Sequence, residues 1–94
     1  MIILSDEAQD YIRRLVEEEN AEGGGLRISA AEDDGGDLTC ELEITSGPEA
    51  DDVVVEEGGA RVFLDKLAAD ALDGAELAVA DGDLVLNLEE AGGT

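Results

Sequence analysis

Histidine and tryptophan are absent from the 94 residues, and cysteine, proline, tyrosine and phenylalanine each occur once. Without histidine the commonest general base and neutral metal ligand is missing, and with it every Ser-His or Cys-His nucleophile pair. A single cysteine cannot close an internal disulfide, so nothing points to an oxidising compartment, and a cytoplasmic protein is expected. Two aromatic residues leave little material for a deep apolar pocket. Cations are equally scarce: 5 Lys and Arg stand against 26 Asp and Glu, for a formal charge of -21. Nucleic acid is gripped by clustered cations that displace counterions, so this chain is expected to bind none, and the same field repels anionic membranes. No apolar run approaches the roughly 20 residues of a spanning helix, and Met1-Ile2-Ile3-Leu4 passes directly into Ser5-Asp6-Glu7 without the basic flank of a secretion signal.

What is present suffices for one core. With 44% apolar residues, a chain of this length folds as one domain that removes about 60–65% of its unfolded surface from water. Ala8, Tyr11, Ile12, Leu15 and Val16 recur at helical spacing and predict an amphipathic helix over residues 5–20. Ser5 is its expected N-cap, Asp6 and Glu7 suit the positive end of the helix dipole, and Asn20 with Gly23-Gly24-Gly25 ends it. Ile2 to Leu4 is expected as a short strand before it. The period then changes to two. Leu26, Ile28 and Ala30 alternate with Arg27, Ser29 and Ala31, and after the loop 32–37 so do Leu38, Cys40, Leu42 and Ile44 with Thr39, Glu41, Glu43 and Thr45. The second strand is expected to bury its apolar face and wet the other.

Ser46 to Asp52, with Pro48, reads as a connection. Val53 to Glu57 and Ala60 to Leu64 form a hairpin about Gly58-Gly59, whose glycines tolerate the positive φ of a tight turn. Lys66 to Leu72 predicts a short helix with Leu67, Ala71 and Leu72 on one side, stopped by Asp73-Gly74. Glu76 to Ala80 and Leu84 to Leu88 form a last hairpin about Asp81-Gly82-Asp83, and 89–94 is expected to be a flexible tail. The fold class is therefore α+β: a single compact β-rich domain, 1–94, with an N-terminal helix and a second short helix.

This order of elements resembles the HesB/IscA-like family of A-type iron-sulfur cluster carriers. The likeness is carried by Leu4-Ser5-Asp6-Glu7-Ala8, by Gly25-Leu26-Arg27-Ile28, by Leu42-Glu43, and by Glu56 to Asp65 followed by Leu72-Asp73-Gly74. The resemblance implies the family's fold and a place near iron-sulfur cluster assembly. It also implies a ligand set, one cysteine in the loop after the Gly-Leu-Arg strand and a Cys-Gly-Cys near the C-terminus. The loop position falls near Gly35, the tail Glu89 to Thr94 ends before any Cys-Gly-Cys, and Cys40 lies about five positions late. One thiolate falls short of the four that clusters usually take. The expectation is a diverged, non-enzymatic member without the cluster cysteines, working through a protein partner that the sequence does not identify, in an oligomeric state it does not reveal. No catalytic, cofactor-binding or metal-ligating residue is assigned, and no cofactor.

Each conspicuous residue also has a plainer meaning. Cys40 alternates with leucines and is expected to be a buried small hydrophobe, its thiolate disfavoured by nearby carboxylates. The loop 32–37 packs four carboxylates among two glycines, oxygen-rich enough for a hard cation, yet it lacks the alternating ligands of an EF-hand and reads as a solvated turn. A carboxylate-based metal-binding protein is the alternative function. Asp51-Asp52 and Glu56-Glu57 are expected to be wet, and among 26 carboxylates proximity alone has no diagnostic value for acid-base catalysis. The acidity itself fits either a surface adapted to high salt, as one Lys against four Arg also suggests, or a face for a basic partner.

Overall fold

The computed structural model describes residues 2–21 and 23–87. Along the chain run β1 (Ile3–Leu4), α1 (Asp6–Glu18), β2 (Gly25–Glu32), β3 (Leu38–Thr45), β4 (Val53–Glu57), β5 (Ala60–Leu64), α2 (Lys66–Ala71), β6 (Glu76–Ala80) and β7 (Asp83–Asn87). The class is α+β, as the periodicities predict. The expected tail 89–94, and Leu88 of the last expected strand, lie outside the described residues.

Local chemistry sets α1 at both ends. Ser5 is extended (φ -67°, ψ 161°) and its Oγ accepts the Ala8 N–H at 3.1 Å, with Asp6 and Glu7 in the first turn. At the other end Asn20 takes φ 55°, its N–H donates to Glu17 O and the Ala21 N–H donates to Val16 O, the double closure of a Schellman motif. Asn20 thus stops the helix, and Gly24 and Gly25 serve something else. A Cβ on Gly24 would run into the Thr45 carbonyl oxygen, and one on Gly25 into the Arg61 backbone. These two glycines let β2 begin wedged between its neighbours.

β2 sits inside a four-stranded sheet of order β3-β2-β5-β4, parallel to β5 and antiparallel to β3. The register pairs Leu26 with Val62 and Ile28 with Leu64, so these four share the face on which the helices pack. A second sheet, β1-β6-β7, completes the enclosure. Both sheets and both helices contribute to one core containing Ile12, Ile28, Val62, Leu64, Leu72 and Leu77, each no more than 2% exposed. The hairpins turn where predicted, through Gly58-Gly59 (φ 57° and 83°) and Asp81-Gly82 (φ 54° and 83°), the paired positive φ values that match strand twist.

Two expectations about apolar burial need correction. In α2 the inward residues are Ala68, Ala69 and Leu72, while Leu67 is 37% exposed and Ala71 faces water. The Asp65 side chain caps this helix by accepting the Ala68 N–H at 2.8 Å, so the point where β5 hands over to the cap fixes the helix phase and side-chain apolarity does not. In β3 the expected inner face is incompletely covered: Leu38 and Leu42 are each 39% exposed, and Cys40 and Ile44 are half-buried. β3 is the terminal strand of its sheet, beyond the centre over which the helices lie.

Candidate functional site

The β2–β3 hairpin holds the chain's one thiol and its most acidic loop. The strands pair from Gly25 with Thr45 to Glu32 with Leu38. At the tip, Gly36 N–H donates to Asp33 O, and Asp33 Oδ1 accepts the N–H groups of Gly35 and Asp37, both at 2.9 Å. This carboxylate is engaged in shaping the turn. Among the described residues no three His, Cys, Asp or Glu side chains converge as a metal ion would require. Gly35 is exposed and its φ is not positive; a Cβ there would meet Asp33 Oδ1 at an ordinary 3.4 Å. The position to which the resemblance assigns a ligand cysteine therefore has room for a side chain and carries none.

Cys40 stands opposite Ala30, whose N–H donates to Asp65 Oδ2 at 3.3 Å. Its side chain packs against the edge of the core and is half-buried, less enclosed than alternation alone suggests. Burial first, and the negative charge of Asp65 second, push the thiol pKa up. A raised pKa keeps sulfur protonated, and a protonated thiol is neither a good nucleophile nor a metal ligand.

The opposite face of the sheet is organised by a pair that local pattern does not reveal. Arg27 Nε and Nη2 donate to the two carboxylate oxygens of Asp52 at 3.0 and 3.1 Å, and Nη1 donates to Ser29 Oγ at 3.0 Å. The Asp52 side chain is 3% exposed, a correction to its expected wet position. Asp52 also accepts the Glu49 N–H at 3.0 Å. The fork holds the Asp52 carboxyl below its ordinary range, and the guanidinium pKa is raised in turn, chiefly by the same bond. The register sets Val54, Phe63, Arg27 and Glu43 in one row across this face. The fork thereby holds the 46–52 connection against a row whose Phe63 is 1% exposed yet outside the main core. The one sequence clue was an arginine amid strand apolars; its partner lies 25 residues away.

The remaining arginines are also tied internally. Arg13 and Arg14 both donate to Asp10, Arg13 reaches the Gly58 carbonyl across to the β4–β5 turn, and Arg61 joins Glu56 and the Gly23 carbonyl. Arg13, Arg27 and Arg61 thus cross-link different parts of the fold, while Arg14 pairs within α1.

Comparison with known proteins places this architecture. The chain is 33% identical to the Fe/S biogenesis protein NfuA of Stenotrophomonas maltophilia over 84 residues, which are 87% of this chain and 42% of that protein. It is 27% identical to the vegetative HesB protein of Trichormus variabilis over 72 residues, 77% of this chain and 58% of that one. The chain therefore spans about two fifths of NfuA and under two thirds of HesB. The crystal structure of Escherichia coli SufA, involved in biosynthesis of iron-sulfur clusters, shares the fold with a TM-score of 0.74 at 21% identity, covering 99% of this chain and 82% of SufA. With a family model for iron-sulphur cluster biosynthesis matching residues 1–94 from end to end, the chain belongs to that family.

Proposed function

We propose that this protein is an accessory member of iron-sulfur cluster biosynthesis, which works by docking to a protein partner and does not itself carry a cluster. The donor set supports this reading. One residue in 94 is a thiol, Cys40 is half-buried with its pKa raised, and the hairpin position that resemblance assigns to a cysteine is Gly35. Clusters are usually held by four thiolates, and a chain with one reluctant thiolate is poorly equipped to supply them. The reading is also non-enzymatic, because no histidine is available for a Ser-His or Cys-His pair. The reading also takes the protein to be cytoplasmic, an address compatible with a chain whose single cysteine needs no disulfide. No helix among the described residues is long and apolar enough to cross a membrane. The test is anaerobic reconstitution with ferrous iron and sulfide, followed by desalting and a visible spectrum. The protein is expected to emerge colourless; a stable brown chromophore travelling with the polypeptide overturns the proposal.

A further inference from the structure

We infer that the groove between α1, β3 and β7 docks a cationic amphipathic helix of a partner protein. This inference deepens the docking reading above and rests on it. The groove encloses about 490 Å³. Leu26, 2% exposed, lies at its floor. Tyr11 and Leu15 of α1, Leu42 and Ile44 of β3, and Leu84 of β7 supply apolar walls. Among the described residues β3 and β7 are both terminal strands of their sheets and no further strand closes the opening, and Leu42 stays 39% exposed on a face that is core elsewhere.

Charge selects the occupant. The groove is rimmed by Glu19 and Asp83 and lined by no Lys or Arg. The four arginines of the fold are already committed to internal partners, so the molecule has little means of neutralising this rim itself. A second copy would set a charge of -21 against another of -21, and nucleic acid or an anionic membrane meets the same repulsion. A helix with leucines at i, i+3, i+4 and i+7 and lysines or arginines beside them satisfies both the apolar walls and the acidic rim.

The probe is a fluorescently labelled Leu/Lys helical peptide of that pattern, titrated by anisotropy against the intact protein beside a scramble of identical composition. Saturable one-to-one binding is expected, with the scramble at least tenfold weaker. Affinity is expected to fall as salt rises from roughly 0.05 to 0.5 M, as screening shortens the reach of the rim charges. Leu42→Asp is expected to weaken binding at least tenfold, whereas Val54→Asp, on the exposed far edge of the same sheet, leaves it unchanged. Should Leu42→Asp fail to fold by circular dichroism, the rim variant Glu19→Lys/Asp83→Lys decides, and is expected to lose at least tenfold. Absence of saturable binding, equal binding of the scramble, or insensitivity to the groove and rim variants overturns the inference. So does a concentration-dependent dimer in sedimentation that a groove variant abolishes, since a second copy would then be the occupant. Failure of the cluster-free reading shows separately, as a chromophore in reconstitution with peptide binding intact.

Discussion

At Cys40 two influences act in one direction: burial and the Asp65 carboxylate both disfavour the thiolate. Reaction with a disulfide reagent across the alkaline range is therefore expected to lag behind an exposed cysteine, because less thiolate exists at any given pH. Asp65→Asn keeps one oxygen for the helix cap, a position that asparagine serves as well as aspartate, and removes the charge together with the acceptor of the Ala30 N–H. Its reaction profile is expected to shift toward lower pH without reaching that of an exposed thiol, because burial remains; an unmoved profile refutes the role assigned to Asp65. The glycines make a second contrast. Gly24→Ala drives a Cβ into the Thr45 carbonyl, backbone against backbone, and is expected to cost roughly 1–3 kcal/mol, as overpacking does. Gly35→Ala meets a side-chain oxygen at 3.4 Å and is expected to stay within about 0.5 kcal/mol of the parent. Urea midpoints of the two variants check the pair, and equal losses contradict the packing described at the start of β2.

Among elements, the Arg27–Asp52 fork couples the 46–52 connection to β2, and its contribution depends on pH with a definite sign. The Asp52 pKa is lowered in the folded chain. The stabilisation is thus fully present above the unfolded carboxylate value near 4 and disappears as pH falls through the lower folded value. Asp52→Asn is expected to lower the urea midpoint at pH 7, and the gap from the parent is expected to close toward pH 2; a gap constant over that range excludes the ion pair as its source. This fork also marks the boundary of what the sequence discloses. Ser5, Asn20 and the paired turns at Gly58-Gly59 and Asp81-Gly82 were legible because their chemistry is complete within a few residues. The inward side of β2 was legible because Leu26 and Ile28 alternate on a strand covered by helices. Alternation says which side a residue takes but not whether anything covers it, hence the excess burial expected for Leu38, Cys40 and Leu42 at a sheet edge. Leu67 drew attention away from Ala68 because apolarity outweighs size in a pattern, while the structure phases α2 from its Asp65 cap. Asp52 looked like one more wet acid, since its partner is distant in sequence. The groove that carries the docking inference joins three elements and has no local signature.

For the molecule as a whole, the tying of arginines sharpens the meaning of the charge. With 26 carboxylates against 5 cations, and with each arginine bound to a carboxylate or carbonyl within the fold, negative charge far exceeds what the cations can neutralise, and the carboxylates repel one another. Folding gathers these charges into a smaller volume than the unfolded chain occupies, so self-repulsion weighs more heavily on the folded state. Added salt shortens the range of that repulsion, from about 10 Å at 0.1 M to about 3 Å at 1 M. Stability should therefore increase with ionic strength even though salt also weakens the exposed pairs of Asp10 with Arg13 and Arg14, because such pairs individually contribute little. A gain of about 1 kcal/mol between low and molar sodium chloride corresponds to a melting temperature roughly 4–8 °C higher for a domain of this size. Sodium chloride and the more strongly excluded sodium sulfate, compared at equal ionic strength, separate screening from a general strengthening of apolar burial. Screening predicts that most of the rise is complete below roughly 0.5 M and is shared by both salts. A melting temperature that is flat or falling in sodium chloride refutes self-repulsion as a limit on this fold.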